Sequence, residues 1–228
     1  YVGAPKYQPM PEMGEPYHNH YDYPHGPSIN RNNHADEILI DEKIYDFPCL
    51  TKVLGKILST DNNLVMETIN QFCNNPKFDL KFTIGECNNT ENACTDGSSL
   101  LTTGEVRIII EDPTQNSIDL AAMILHEGIH AEIFRFVAEH HQGNVDPNDK
   151  PQLFEYFKHY AGTEWDKDID HVYMTQFYIN PIAEALRQLD HYQYPLNYYK
   201  TYAWDGLRRF DPNNSLGITD IEYDQYRN

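Results

Sequence analysis

The longest stretch of regular apolar spacing in the chain runs from Ser117 to Gly143. Its apolar residues recur three and four positions apart, which is typical of one face of an α-helix. Asn116 or Ser117 can cap the first turn, where Asp119 faces the positive end of the helix dipole. Gly143, preceded by two histidines, suits the C-terminal end. The pattern therefore predicts a long helix here without reference to any chemistry.

Before this helix, the pattern alternates between a period of two and spacings of three and four. The period of two predicts a short strand or edge segment and two full strands, over 36–46, 78–84 and 104–111. Helical spacing predicts two helices, one over 48–58 and one from Asn62 or Asn63 to about Cys73. The polar residues 85–104 are expected to form a long loop. The strand 104–111 comes shortly before the long helix and is the expected edge for an extended peptide.

The C-terminal half has mostly helical spacing, and the N-terminal end has no periodicity. Helices are predicted over 151–160, 170–190 and 196–208, the second kinked or restarted at Pro181. Loops are predicted over 161–168 and from Phe210 onward, and Trp204 is expected to anchor the core. Residues 1–35, rich in Pro, Tyr and His, are expected to be an extended tail or linker. The predicted fold is α+β and mostly α, with a small sheet before the long helix and one domain over 36–228.

Composition narrows the range of partners and compartments. The 228 residues suffice for one domain with a sizeable core. A net charge of −18 repels phosphate backbones, so nucleic-acid binding is not expected. No apolar run approaches the ~20 residues that a membrane span needs, so a membrane-spanning protein is not expected either. The chain begins with Tyr1 and not with Met, which suggests the mature form of a protein whose targeting segment has been removed.

The four cysteines, Cys49, Cys73, Cys87 and Cys94, all precede the long helix. Their even number suggests two disulfides and an oxidising compartment, so we expect an exported protein: secreted, periplasmic or on the cell surface. An antiparallel pair of the predicted helices would bring Cys49 and Cys73 together, and Cys87 and Cys94 flank a polar loop. The favoured pairs are Cys49–Cys73 and Cys87–Cys94. A cysteine zinc site lacks Cys-x-x-Cys spacing, and free buried thiols are the remaining alternative.

The long helix carries the motif His126-Glu127-Gly128-Ile129-His130. Histidines four apart lie one turn from each other on one helix face, so both imidazoles can reach one metal ion. Glu127 can then contact a water on that metal, and the H-E-x-x-H arrangement is typical of zinc hydrolases. Gly128 costs about 1 kcal/mol relative to Ala in a helix, which makes sense if another segment approaches closely. The alternative is a buried amphipathic helix whose histidines bind nothing.

A catalytic zinc site needs a third protein ligand and leaves the fourth position for water. The downstream candidates are His159, Glu164, Asp168, Asp170, His171 and Glu184. His171 is favoured because it begins an amphipathic segment, and Asp168 or Asp170 can accept the second N–H of its ring. A neutral imidazole also suits a helix N-terminus better than a charged one. A carboxylate from Glu164 or Glu184 would instead make a His2Glu site.

Three segments of the chain resemble the recurring blocks of a family of zincin-like metallopeptidases, found mostly in exported proteins of Bacteroidetes. They are HEGIHAE, DHVYMTQFYINPIAEALRQLD and YYKTYAWDGL. The family's second block opens with a histidine followed three residues later by Met, here His171 and Met174. Its third block normally has Gly where this chain has Asp205, which is expected to affect a turn and not the metal. The resemblance covers about residues 45 to 210 and implies a zincin-like fold and a metallopeptidase-like site, but no particular substrate.

Motif and resemblance together predict a zinc-dependent metallopeptidase that hydrolyses peptide or protein substrates. Zn2+ would be held by His126, His130 and His171, and would bring water to a pKa near 7. Glu127 would act as the general base toward that water and then protonate the leaving amine.

The residue that stabilises the oxyanion is less well determined by the sequence. Tyr178 lies on the same face of its predicted helix as His171 and is the candidate, with Tyr160 and Tyr173 as rivals. Two other interpretations stay open. One is a non-catalytic zinc-containing cell-surface or interaction domain, and the other is a self-processing or toxin-like peptidase carried on a longer chain.

Overall fold

The protein is α+β and mostly helical, as the residue pattern predicts, and its described residues contain a four-stranded sheet. The computed structural model describes residues 38–87, 91–141, 152, 178–205 and 218–227. The predicted tail 1–35 and loop 161–168 lie outside these residues, as does the predicted helix 151–160 apart from Gln152. The single domain expected over 36–228 stays a prediction.

The first predicted helix is present, and the second is present but interrupted. Helix α1 spans Pro48–Leu58, as predicted, and buries its apolar face. The predicted second helix divides into α2 (Asn63–Glu67) and a 310 helix (Ile69–Phe72). Thr68 separates them, because its backbone leaves helical geometry while its hydroxyl donates to the carbonyl of Leu64 at 2.7 Å. Such local hydrogen bonds of Thr compete with regular helix geometry.

The sheet combines parallel strands with one antiparallel edge strand. In chain order the strands are β1 (Ile38–Ile40), β2 (Asp79–Ile84), β3 (Ala93–Asp96) and β4 (Glu105–Ile110). They lie in the order β1-β2-β4-β3, and β2 pairs in parallel with both β1 and β4. β3 runs antiparallel to β4, with Ala93 opposite Ile110 and Asp96 opposite Arg107. Alternate apolar residues of β2 and β4 are buried in the core.

The strand predicted to be an edge for an extended peptide is not an edge of the sheet. The predicted edge, strand 104–111, corresponds to β4, which lies between β2 and β3 and is paired on both sides. The described sheet has two edges: β1, within the short strand or edge segment predicted over 36–46, and β3, within the segment 85–104 that is expected to be a loop. Four residues between polar neighbours are too few for a period of two to stand out. The same segment also contains a short helix, α3 (Leu100–Thr103).

Helix α4 (Ser117–His140) is the long helix that the apolar spacing predicts. The side chain of Asn116 caps it by accepting hydrogen bonds from two backbone N–H groups of the first turn. From Leu120 to Val137, every residue except Met123 and His126 is buried. The helix contacts α1, β3 and β4, so it lies at the centre of the core. In the described part of the chain, no helix is both long and apolar enough to cross a membrane.

The C-terminal helices are α5 (Ile179–Leu189), α6 (Leu196–Trp204) and α7 (Asp220–Arg227). Helices α5 and α6 lie within segments predicted to be helical. Pro181 occupies the first turn of α5, where a missing N–H costs no hydrogen bond. Trp204 is 3% exposed, which confirms its predicted place in the core. Residues 170–177 lie outside the described part.

Helix α7 contradicts the loop predicted from Phe210 onward. A capping box fixes its start, because the Glu222 carboxylate accepts from the backbone N–H of Thr219 at 3.0 Å. In return, the backbone N–H of Glu222 donates to the hydroxyl oxygen of Thr219 at 3.1 Å. The sequence contains the Thr-x-x-Glu signature of a helix start, but the segment is so polar that its residue pattern predicts a loop.

One of the two favoured disulfides forms. Cys87 and Cys94 are bonded, as predicted. The pair Cys49–Cys73 is wrong, because both side chains are free, exposed thiols. The predicted second helix breaks off after Glu67, so Cys73 follows a 310 helix and does not end the regular helix on which this pairing is based. The sulfur of Cys49 instead lies 3.3 Å from the hydroxyl oxygen of Ser117, at the start of α4.

Candidate functional site

The two motif histidines point their ring nitrogens at a common position beside α4. The Nε2 atoms of His126 and His130 are 3.2 Å apart, and the ring planes are inclined at 65°. Two ligands of a tetrahedral zinc ion at about 2.05 Å would be about 3.3 Å apart. The observed separation fits that geometry, so this pair of residues could hold a zinc ion through Nε2.

Glu127 presents its carboxylate to the same position. Its Oε1 lies 3.9 Å from Nε2 of His126, and the residue is 7% exposed. A buried carboxylate with one oxygen near the histidine pair is well placed to take a proton from a water between them. The predicted arrangement of two imidazoles and one carboxylate therefore exists in the folded chain.

Thr95, on β3, contacts the Glu127 side chain and belongs to the site. Its hydroxyl donates to Oε2 of Glu127 at 2.7 Å and also lies 3.0 Å from the backbone carbonyl oxygen of Glu127. Thr95 is 6% exposed, so water competes little for this bond. Sequence reasoning missed Thr95. The available signal was the short alternation of buried Ala93 and Thr95 with Cys94 and Asp96.

Gly128 allows another segment of the chain to approach the motif closely. A Cβ atom at this position would lie 2.9 Å from Cγ1 and 3.1 Å from Cδ1 of Ile69, which is fully buried. The 310 helix Ile69–Phe72 therefore packs directly on the helix backbone between the two histidines. This contact confirms the reason inferred from the sequence for a glycine inside the helix.

The site is accessible from one side of α4. The side chain of His126 is 20% exposed, and Met123, one turn before it, is also partly exposed. His130 is 4% exposed, so its ring faces inward. A ligand would therefore reach the histidine pair past Met123 and His126.

A buried ion pair lies one turn beyond the histidines. Arg135 donates two hydrogen bonds to Glu132, at 2.7 and 2.8 Å, and a third to Glu139 at 2.5 Å. Glu132 and Arg135 are each 3% exposed. Burial raises the pKa of Glu132 to about 7, although the hydrogen bonds from Arg135 act in the opposite direction. Glu132 and Arg135 thus form hydrogen bonds with each other where α4 is surrounded by the hydrophobic core.

The favoured third ligand, His171, lies outside the described residues, as do His159, Glu164, Asp168 and Asp170. Glu184 is described, but its side chain is 45% exposed and pairs with Arg187 at 3.4 Å. Among the residues with described positions, no group of three His, Cys, Asp or Glu side chains is arranged to hold a metal. The assignment of His171 to the site stays a prediction.

Tyr178, the candidate for oxyanion stabilisation, immediately precedes α5. It is 5% exposed and belongs to the hydrophobic core. Its carbonyl oxygen accepts the backbone hydrogen bond of Ile182 at 2.8 Å, which starts the helix. Packing accounts for this position, and the catalytic role of Tyr178 stays a prediction. Its rivals Tyr160 and Tyr173 lie outside the described residues.

Comparison with known proteins returned no relative for this chain: no family model, no curated protein and no solved structure matches it. A functional assignment therefore depends on the geometry of His126, Glu127 and His130, since a fold alone does not define an activity.

Proposed function

We propose that the protein is an exported zinc-dependent metallopeptidase. The observation that carries the proposal is the 3.2 Å separation of the two Nε2 atoms, with the Glu127 carboxylate beside them. The same separation allows a hydrogen bond between the two rings when no metal is bound, and the carboxylate next to them favours a metal site. His126 and His130 would hold the ion together with His171.

The roles of the residues follow from their chemistry. When bound, zinc supplies a Lewis acid that makes water a nucleophile at neutral pH and polarises the scissile carbonyl. Glu127 accepts the proton that the attacking water loses and returns it to the leaving amine nitrogen. The water-poor surroundings of Glu127 and His130 strengthen these interactions, because charges are less screened there.

The expected substrate is an extended peptide, and β3 is the strand beside the site to which it would add. β3 is an edge strand in the described sheet, and its residue Thr95 contacts Glu127. Backbone pairing with such an edge is largely independent of the side chains of the peptide. The disulfide between Cys87 and Cys94, a residue of β3, is compatible with an exported protein.

Zinc content provides the first test. We expect about one zinc per chain in the purified protein and much less in His126→Ala and His171→Ala, because each variant would lose one of three ligands. His191→Ala, an exposed histidine in the turn after α5, is the matched control and should keep its zinc. Full zinc content in His171→Ala would exclude His171 as a ligand and point to a carboxylate instead.

Hydrolysis provides the second test. Glu127→Gln should lower kcat on a denatured protein substrate by about 10²- to 10⁴-fold, because the amide cannot accept the proton. Its zinc content should equal that of the wild type. Full activity in Glu127→Gln would contradict the assigned general base. A zinc-loaded wild-type protein that cleaves no denatured protein would favour the alternative, a non-catalytic zinc-containing cell-surface or interaction domain.

A further inference from the structure

Thr95 makes an unusual contact for a sheet residue, because its hydroxyl reaches across to the helix that carries the motif. The hydroxyl oxygen is 2.7 Å from Oε2 and 3.0 Å from the carbonyl oxygen of Glu127, 32 residues further along the chain. A hydroxyl has one proton to donate, and the shorter contact identifies the side-chain oxygen Oε2 as its main acceptor. Thr95 thus donates to the carboxylate of the proposed general base.

This bond occupies one oxygen of Glu127, while the other oxygen lies on the side of the histidines. With Oε2 bonded to Thr95, the other oxygen, Oε1, is the one that lies 3.9 Å from Nε2 of His126. A terminal sp³–sp² torsion has no sharp minima, so a hydrogen bond to one oxygen narrows the range of orientations of the Glu127 carboxylate. The Thr95 hydroxyl therefore restricts the carboxylate to the orientation that faces the metal position.

The strand that carries Thr95 is itself fixed on two sides. Thr95 lies opposite Ile108 in the antiparallel ladder with β4. Its neighbour Cys94 is bonded to Cys87, which closes the preceding loop. The backbone N–H of Cys87 donates to Glu111 at 2.7 Å, which joins the other end of that loop to the residue after β4. The donor to Glu127 is thus held by the sheet and by a covalent bond.

We propose that Thr95 is a positioning residue that holds the Glu127 carboxylate in its working orientation. The inference rests on the proposed peptidase function, since it assigns Thr95 a role through Glu127. The hydroxyl of Thr95 is expected to act on the Glu127 carboxylate and not to bind the metal. The consequence for catalysis is that loss of the hydroxyl lowers the fraction of Glu127 side chains in the productive orientation, and so affects kcat more than KM.

The kinetic test compares two substitutions of Thr95. Thr95→Val has nearly the same shape but no hydroxyl, and it should lower kcat by up to about 10²-fold while KM changes little. Thr95→Ser retains the hydroxyl and should restore most of kcat. Thr83→Val is the matched control: it removes a hydroxyl from β2 that bonds Asp41 at 3.0 Å, away from the site, and should keep wild-type kcat. Zinc content and the thermal unfolding midpoint of each variant show whether the fold and the metal are intact.

A structural measurement tests the same role independently of activity. In a crystal structure of Thr95→Val, the Glu127 carboxylate should rotate or occupy more than one orientation, whereas in Thr95→Ser it should match the wild type. An unmoved Glu127 in Thr95→Val, or unchanged kcat in that variant, would overturn the positioning role and leave the proposed peptidase intact. A zinc-loaded wild type without any hydrolysis would overturn the proposed function and, with it, the kinetic role of Thr95.

Discussion

At the scale of single residues, the pair of Glu132 and Arg135 shows how polar groups are accommodated inside α4. Both side chains are 3% exposed, and two hydrogen bonds join them. Taking either charge out of water is costly, and the partner's opposite charge offsets much of that cost. Removal of one member alone therefore leaves an uncompensated charge in the core.

We predict that Arg135→Met destabilises the protein by about 3–5 kcal/mol at about pH 8 and by less at about pH 5. Burial raises the pKa of Glu132 to about 7 from 4.5, so the folded state keeps a proton that the unfolded state has released between these values. The unfolding free energy contributed by Glu132 falls as pH rises through this range. Without Arg135 the fall should be steeper. Urea unfolding at both pH values measures the difference.

The double variant Glu132→Leu/Arg135→Met is the control for this prediction. It removes both charges and should be more stable than Arg135→Met at about pH 8, because no unpaired carboxylate remains. An equal cost of Arg135→Met at both pH values would contradict the ionisation argument.

Some residues of the site can be recognised from their spacing in the sequence, and others cannot. His126, Glu127 and His130 follow from the helical repeat, which fixes their relative positions within one turn. The close approach at Gly128 was also inferred, and Ile69 makes it. The role of Thr95 could not be inferred, because Thr95 and Glu127 are 32 residues apart and their contact depends on how β3 packs on α4.

At the scale of elements, β3 is short and yet carries a residue of the site. Its four residues pair only with β4 in the described sheet. The bond between Cys87 and Cys94 closes a loop with a sequence separation of 7 and so restrains the entrance to the strand. A disulfide stabilises mainly by restricting the unfolded chain, and a short loop gives a modest effect.

We predict that Cys87→Ser/Cys94→Ser lowers the free energy of unfolding by about 2 kcal/mol. The double variant Cys49→Ser/Cys73→Ser is the matched control and should change stability little, since both thiols are free and exposed. Denaturant unfolding of the two double variants, side by side with the wild type, measures the effect. A larger loss in the control than in the disulfide variant would mean that the bonding pattern is different in solution.

Helices and strands could be predicted where their own residues show regular apolar spacing and also signal where the element begins and ends. Helix α1 has apolar spacing and a proline in its first turn, and its observed bounds equal the predicted ones. β3 and α7 were missed, because one is four residues long and the other is almost entirely polar. Thr68 breaks the predicted second helix through a hydrogen bond of its side chain, and the apolar spacing of the sequence gives no sign of such a bond.

At the scale of the whole molecule, Arg227 connects the last described helix to the start of the motif helix. Its guanidinium donates to Asp119 in the first turn of α4 and, at 2.8 Å, to Asp205 after α6. The same group lies 4.4 Å above the ring of Tyr202. The hydroxyl of Tyr223 also donates to Asp205, at 2.8 Å. The network joins α4, α6 and α7 in one place.

We predict that Arg227→Met lowers the free energy of unfolding by about 1–2 kcal/mol, because it removes two charge-assisted hydrogen bonds and a cation–π contact. Its side chain is 20% exposed, so solvent screens the interactions only in part. Arg187→Met removes a more exposed pair with Glu184, and should cost less than about 0.5 kcal/mol. Thermal or urea unfolding of both variants would show the contrast, and equal losses would contradict it.

The burial of α4 from Leu120 to Val137 has a consequence for hydrogen–deuterium exchange. Amide protons in the middle of a helix surrounded by core exchange only when the entire domain opens, so this stretch should contain the slowest-exchanging amides of the protein. A ligand that binds only the folded state raises the free energy of this opening by its binding free energy. If the proposed zinc ion is bound, its removal by a chelator would therefore accelerate exchange along the whole core, and not merely at the two histidines.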